Sequence, residues 1–304
     1  MTETIIILPS SQIDFQKWDL CVQQDPNGLI YSTSDYLSAV AENWHGITIN
    51  DYEAVMPIPW KKKFGICYGY TPAFIQQLGV SGSYSKEVLS KVILTLSSFL
   101  SYGDFRFNFS NIDILDITPV TYGTNLLLPL SPEYKTIFSK YKPDVMANIR
   151  KSKNEDLIYI KDFNLLGIDL YQELYGDRTP KITRQHYSDF KRLCNFFQQK
   201  NQCITRIVTD TKGEILASAI LLKDNTRLYN LLNATTIQGR VKNANYFLLD
   251  TIFKEFAGKL EWFDFEGSDL PGVKEFYEKF GAVNQPYFHY HLNQLPKLLR
   301  LIKH

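Results

Sequence analysis

Residues 207–222 read Ile-Val-Thr-Asp-Thr-Lys-Gly-Glu-Ile-Leu-Ala-Ser-Ala-Ile-Leu-Leu, and residues 227–236 read Arg-Leu-Tyr-Asn-Leu-Leu-Asn-Ala-Thr-Thr. Asp210-Thr-Lys-Gly213 separates two apolar runs rich in β-branched residues, the composition of a hairpin turn, so the stretch opens as a β-meander. Past Thr236 the apolar period changes. Tyr246, Leu249, Ile252, Phe253 and Phe256 fall on one face of a helix. Trp262-Phe-Asp-Phe-Glu266 then reads as another strand. Strand, loop, helix and strand follow one another as in a βαβ crossover. That order puts the loop Ile237 to Asn245 at a helix N-terminus, where unpaired N–H groups and the positive end of the dipole suit an anion. A short helix and a last strand follow.

Working outward, the N-terminal half repeats the order. Ile5 to Leu8 reads as a strand. Ile47 to Asn50, Tyr52 to Ile58 and Gly65 to Tyr70 read as a meander turning on Lys61-Lys-Lys63, a solvated hairpin tip. Pro57 and Pro59, on alternate positions, suit an edge strand or a bulge. Tyr84 to Tyr102 is a helix with an apolar stripe, followed by strands at Phe105 to Phe109 and Thr121 to Leu130. Meander, helix and strand thus occur twice, 54 residues separating Glu53 from Phe107 and 49 separating Glu214 from Phe263, which reads as a tandem duplication. Between the copies, residues 132–140 and 144–154 read as helices, and Leu157 to Lys161 as the strand opening the second copy. Two more helices, 167–177 and His186 to Gln199, flank a polar loop, Gly176-Asp-Arg-Thr-Pro-Lys. The expected division is residues 1–150 and 151–304.

A chain of 304 residues with 44% hydrophobic and 21% charged residues accommodates two ordinary globular domains. Its net charge of +1 advertises no nucleic-acid partner. Cys21, Cys67, Cys194 and Cys203 lack C-x-x-C spacing and read as free thiols in a reducing compartment. The N-terminal apolar run is too short for a signal-peptide core, and no window reaches membrane-span length. A cytoplasmic protein is the expectation. No G-x-S-x-G elbow, H-E-x-x-H, Walker loop or dinucleotide fingerprint occurs, which sets aside most hydrolases, zincins and NTPases.

The layout of the carboxyl half resembles the GNAT acyltransferase fold, in which a loop opening a helix holds the carrier's pyrophosphate. Phe263-Asp-Phe-Glu-Gly-Ser268 with Gly272-Val-Lys-Glu-Phe-Tyr-Glu-Lys-Phe-Gly281 resembles the C-terminal signature of FemAB-like proteins, in which two GNAT-type domains share one chain. The resemblance implies an α/β protein of mixed sheets in two tandem GNAT-like domains. It further implies N-acyl transfer from a carrier thioester, acyl-CoA, to a small-molecule or peptide amine. A FemAB-type alternative uses aminoacyl-tRNA on a peptidoglycan precursor, with tRNA as partner. A third reading, from another class, is a non-catalytic binding module on the same fold. No metal is implied.

Acyl transfer needs a base for the ammonium, an acid for the leaving group and a grip on the carrier. Asp264 and Glu266, two apart on a strand, would face one cleft and raise one another's proton affinity, giving a base or an amine anchor. The opposing reading pairs them with Arg227 or a lysine across the sheet. Glu266 is the stronger choice because Gly267 and Ser268 would splay the strand. Tyr277, in Phe276-Tyr-Glu-Lys-Phe-Gly281, is similar to the GNAT tyrosine that protonates the departing thiolate; a core tyrosine is the other reading. Arg240-Val-Lys-Asn-Ala-Asn245 stands at the pyrophosphate loop, with Asn243 and Asn245 where the family has small residues. Asn233, Arg240, Lys242, Asn243 and Asn245 are the carrier-binding candidates. Pro72-Ala-Phe-Ile-Gln-Gln-Leu-Gly79 resembles an acceptor-facing segment of FemAB-like N-terminal domains. Phe74, Gln76 and Gln77, with Arg150 from the run Asn148-Ile-Arg-Lys-Ser-Lys153, are therefore the acceptor-side candidates. The loop at 176–181 is, by the same resemblance, a lid. His289 and His291 share a strand face as a metal pair could, but no third ligand stands nearby.

Overall fold

The computed structural model describes residues 3–267 and 270–296. The chain divides into two compact units, residues 1–123 with 286–304, and residues 124–285. In the first unit, β1 (Ile5–Pro9) leads to α1 (Phe15–Gln24), whose first turn is capped by Asp14 accepting from the Gln16 and Lys17 N–H groups. Then come α2 (Ser34–Val40), β2 (Trp44–Ile49), β3 (Ala54–Lys63), β4 (Ile66–Gly69) and β5 (Ser81–Gly82). Next are α3 (Lys86–Phe99), β6 (Tyr102–Phe107) and β7 (Thr121–Gly123). Pro57 and Pro59 lie in the middle of β3, paired to β2. On the other side of β3, β5 reaches only Ala54 and Val55 and β4 begins only at Trp60. The prolines therefore occupy a local gap in an otherwise interior strand, which meets the demand for an unpaired N side.

The second unit begins with β8 (Leu126–Pro129), α4 (Tyr134–Ser139), α5 (Pro143–Ser152), β9 (Ile158–Ile160), α6 (Leu166–Tyr175) and α7 (Arg184–Gln199). The meander follows as β10 (Cys203–Thr209), β11 (Ile215–Lys223) and β12 (Arg227–Thr235), then α8 (Ile237–Val241), α9 (Ala244–Phe256), β13 (Trp262–Asp264), α10 (Pro271–Glu278) and β14 (Val283–Asn284). The last strand, β15 (Tyr287–Asn293), belongs to the first unit. The sheets run β1-β2-β3-β4-β6-β15-β7, with β5 beside β3, and β14-β8-β13-β12-β11-β10-β9. Each contains a parallel pair spanning a helical crossover, β4 with β6 around α3 and β12 with β13 around α9.

Two sequence expectations change here. The strand expected over 121–130 is two strands, β7 in the first sheet and β8 in the second. The closing strand lies between β6 and β7 of the first sheet and does not complete the second. The division accordingly falls after Gly123, not at 150. Ile137, Tyr141, Val145 and Ile149 of the α4–α5 segment are buried in the second unit's core with Phe253, Phe263 and Phe280. Burial of that apolar stripe, at roughly 25 cal/mol per Å², fixes which unit claims the segment, and a period along the chain does not report it.

Candidate active site

The parallel pairing of β12 with β13 ends at Tyr229 and Asp264. Beyond it β12 continues against β11 to Thr235, while the other strand turns away: Glu266 has φ 63° and Gly267 φ 62°. A glutamate in the left-handed region costs about 1 kcal/mol or more, and its conformation must be held from outside. Asp264 holds it, its Oδ1 accepting from the Glu266 N–H at 2.9 Å. β12 also carries a bulge. Ile220 pairs with Leu232 and Leu221 with Asn230, so Leu231 has no opposite number. Strand divergence at the carboxyl ends of a parallel pair opens a cleft of about 940 Å³.

The expectation that Asp264 and Glu266 share a strand face fails because the strand stops at Asp264. Asp264 is 1% exposed; it pairs with the Arg227 guanidinium at 3.0 Å and accepts from Asn125 Nδ2 at 3.1 Å. Burial raises its proton affinity, and Arg227, Asn125 and the Glu266 N–H pull it back. Its carboxylate is spent on the scaffold. Glu266 lines the cleft. Its Oε1 is sealed from solvent without a hydrogen-bond partner among the described residues, and burial pushes the carboxyl up to about 8. Ser268 lies outside the described residues.

Tyr277 lines the same cleft from α10, its ring stacked on Phe265 at 4.2 Å. Burial pushes its phenol well above the ordinary range, and the Tyr171 and Tyr175 phenols add to this, so the proton stays on. α6 supplies Tyr171 and Tyr175 as an opposing aromatic wall. Tyr175 donates to the Thr235 carbonyl at 3.3 Å, and the Arg178 guanidinium lies over its ring at 5.0 Å. Arg178 and Thr179, in the segment expected to act as a lid, border the cleft.

At the carrier end the expected loop is largely helical. α8 occupies 237–241, and Asn243, at φ 55°, turns the chain into α9. Gly239 sits so close to β11 that a Cβ would lie 2.0 Å from the Leu216 carbonyl oxygen. The Gly239 N–H bonds to Thr236 Oγ1, and those of Arg240, Lys242 and Asn243 bond to carbonyls of Thr236, Gln238 and Arg240. These groups are therefore spent within the segment and not presented to an anion. Arg240, Asn233, Asn243 and Asn245 line the cleft; Lys242 does not, its Nζ standing 3.7 Å from Glu155.

The acceptor-side candidates fall elsewhere. In the first unit, Phe74 (φ 63°) accepts from the Tyr36 hydroxyl through its carbonyl. Gln76 and Gln77 are buried, with Gln77 Nε2 donating to Gln76 Oε1 at 2.7 Å and Gln77 Oε1 accepting from the Phe109 N–H. Arg150 is exposed on α5 and does not border the cleft. His291 pairs with Asp104 at 2.7 Å, and among the described residues no cluster of three metal-ligating side chains forms. No described helix is long and apolar enough to cross a membrane.

The cleft also contains residues that sequence reasoning passed over. Asn230 is 3% exposed, and among the described residues neither its Oδ1 nor its Nδ2 has a hydrogen-bond partner. A carboxamide in the middle of a buried apolar strand, Leu-Tyr-Asn-Leu-Leu, was the available signal. Tyr171 and Tyr175 gave none beyond helical spacing.

No family model and no curated protein matches the sequence. Solved structures do share its fold. FemX superposes with a TM-score of 0.73 at 14% identity, covering 100% of both chains. A conserved protein of unknown function from Bacteroides thetaiotaomicron VPI-5482 gives 0.62 at 12% identity over 92% of this chain and 98% of its own. L-PGS from Bacillus licheniformis gives 0.57 at 11% identity over 94% of each. The chain thus shares the mixed-sheet α/β fold of FemX, in agreement with the fold expected from the FemAB-like resemblance.

Proposed function

We propose that the second unit is an acyltransferase that moves an acyl group from a carrier to an amine. The observation that supports this best is the convergence of Glu266 and Tyr277 on one cleft. One is a carboxyl poised near neutrality and the other a phenol that keeps its proton. Glu266, as carboxylate, takes a proton from the acceptor's ammonium. The free amine attacks the acyl carbonyl carbon, and the tetrahedral adduct collapses as the bond to the carrier breaks. Tyr277 gives its proton to the departing thiolate or alkoxide, and the second nitrogen proton, lost as the amide forms, returns to the Tyr277 oxygen. Glu266 releases the first to solvent. Asp264 acts through the Glu266 peptide and is a positioning residue.

An acyl-CoA thioester is the first donor to test, with Arg240 as its phosphate contact. A specific observation favours the second reading, an aminoacyl ester on tRNA: the N–H groups of residues 239, 240, 242 and 243 are consumed locally and do not contribute to a diphosphate cradle. The acceptor is a small-molecule or peptide amine. The test is thermal shift with acetyl-CoA, longer acyl-CoA thioesters and charged tRNA, followed by acyl transfer with the carrier that stabilises. Stabilisation by one class selects that donor. Silence from all of them overturns the transferase reading in favour of a binding module.

A further inference from the structure

We propose that Asn230, with Asn233 and Asn245, forms a carboxamide-reading subsite in the floor of the cleft. Its occupant is a neutral group that both donates and accepts hydrogen bonds, such as a primary amide or a peptide unit carried on the substrate. The inference rests on the cleft being the substrate site proposed above, but not on the chemistry performed there.

Asn230 is the first residue of β12 past its last pair with β13, so no strand continues beside it on that side. Among the described residues both its polar atoms are sealed and unpartnered, as are Asn233 Nδ2, three residues on across the bulge, and Asn245 Oδ1, from the first turn of α9. All three residues line the cleft. Together they offer two amide NH2 groups and two carbonyl acceptors, and an amide matches both kinds at once. A carboxylate or phosphate would satisfy only the donors and would face the Glu266 carboxyl. An ammonium would satisfy only the acceptors, and a hydrocarbon would leave all four groups unpaired. Sites built on buried polar groups reject analogues that cannot pair with them by large factors, which makes Asn230 a specificity residue. The stacked Phe265 and Tyr277 rings give the planar group a flat surface to lie against.

The test compares wild type with Asn230→Leu, which keeps the branched four-atom side chain and cannot hydrogen-bond. The probes are N-acetylglycinamide and methyl levulinate, which keeps both carbonyls and lacks the N–H groups. Binding is read by protein-observed NMR titration. Wild type should bind the amide at least about tenfold more tightly than the ester, and the substitution should erase that preference. In the unliganded protein, Asn230→Leu should hold or raise Tm, by about 2–4 °C, because an unpaired amide leaves the interior. Equal binding of the two probes, no saturable binding, or a Tm drop of several degrees would each overturn the proposal. A drop would mean that Asn230 serves the fold. If the amide binds while every acyl carrier fails to, the subsite stands and the transferase reading falls.

Discussion

Substituting Glu266 by Gln tests the buried carboxyl directly. In the unfolded chain the group ionises near its ordinary value of 4.5, whereas burial carries it to about 8 in the fold. Between those pH values the folded protein holds a proton that the unfolded chain has lost, so stability must fall as pH rises. The contribution is fully present below 4.5 and is lost as pH rises through the folded value near 8. At about 1.4 kcal/mol per pH unit, the loss between pH 5 and pH 8 is about 4 kcal/mol. Glutamine has the same shape and no proton to exchange. Urea denaturation followed by circular dichroism should give similar stabilities for wild type and Glu266→Gln at pH 5, with the variant more stable by about 4 kcal/mol at pH 8. Parallel stability curves for the two proteins across that range would refute the reasoning, because they would mean that the carboxyl ionises in the fold as it does in water. The catalytic counterpart is a kcat/KM that rises through pH 8 in wild type and has lost that limb in the variant.

Tyr277→Phe keeps the ring on Phe265 and removes only the proton donor; acyl transfer should fall about a hundredfold or more with Tm almost unchanged. Asp264→Ala should cost about 3–5 kcal/mol in urea denaturation by leaving the Arg227 guanidinium buried without its carboxylate, and the double variant Asp264→Leu, Arg227→Met should recover most of that loss. Arg240→Ala should weaken carrier binding about tenfold in a titration, and Lys242→Ala should leave it unchanged, since Lys242 faces Glu155 and not the cleft.

Where local pattern and tertiary demand agreed, the sequence was readable. The Asp210 to Gly213 turn lies between β10 and β11 as composition required, and Leu249, Ile252, Phe253 and Phe256 of α9 are buried on one face. Reading failed where a partner far along the chain decides the outcome. Nothing in Thr121 to Leu130 says that its two ends join different sheets, and nothing in Tyr287 to Asn293 says that it pairs with β6. The site divides in the same way. Glu266, Tyr277, Asn233, Arg240, Asn243 and Asn245 line one cleft, but the alternation that assigned Asp264 to it presumed a strand running through Glu266. The left-handed turn at 266–267 breaks that alternation, and the signal for it was the glycine that follows.

The cleft and its unpaired groups have a single cause. A strand that kept β12 company past Tyr229 would close the groove, and a strand interior has no use for the carboxamide of Asn230 or the carboxyl of Glu266. Because β13 ends there, the chain gains an opening, and five buried polar atoms on Asn230, Asn233, Asn245 and Glu266 have no hydrogen-bond partner among the described residues. Natural sequences violate packing rules of this kind mainly at functional sites. Asp264 supports the point from the opposite direction. It is more deeply buried, yet Arg227, Asn125 and the Glu266 N–H satisfy it, and its effect is to fix the turn that aims its neighbour. Within three residues the chain therefore carries one acid fully answered by the fold and one left for a ligand to answer. A ligand that brings an ammonium to Glu266 should shift its titration downward from pH 8 on binding, and one that only covers it with apolar surface should shift it upward.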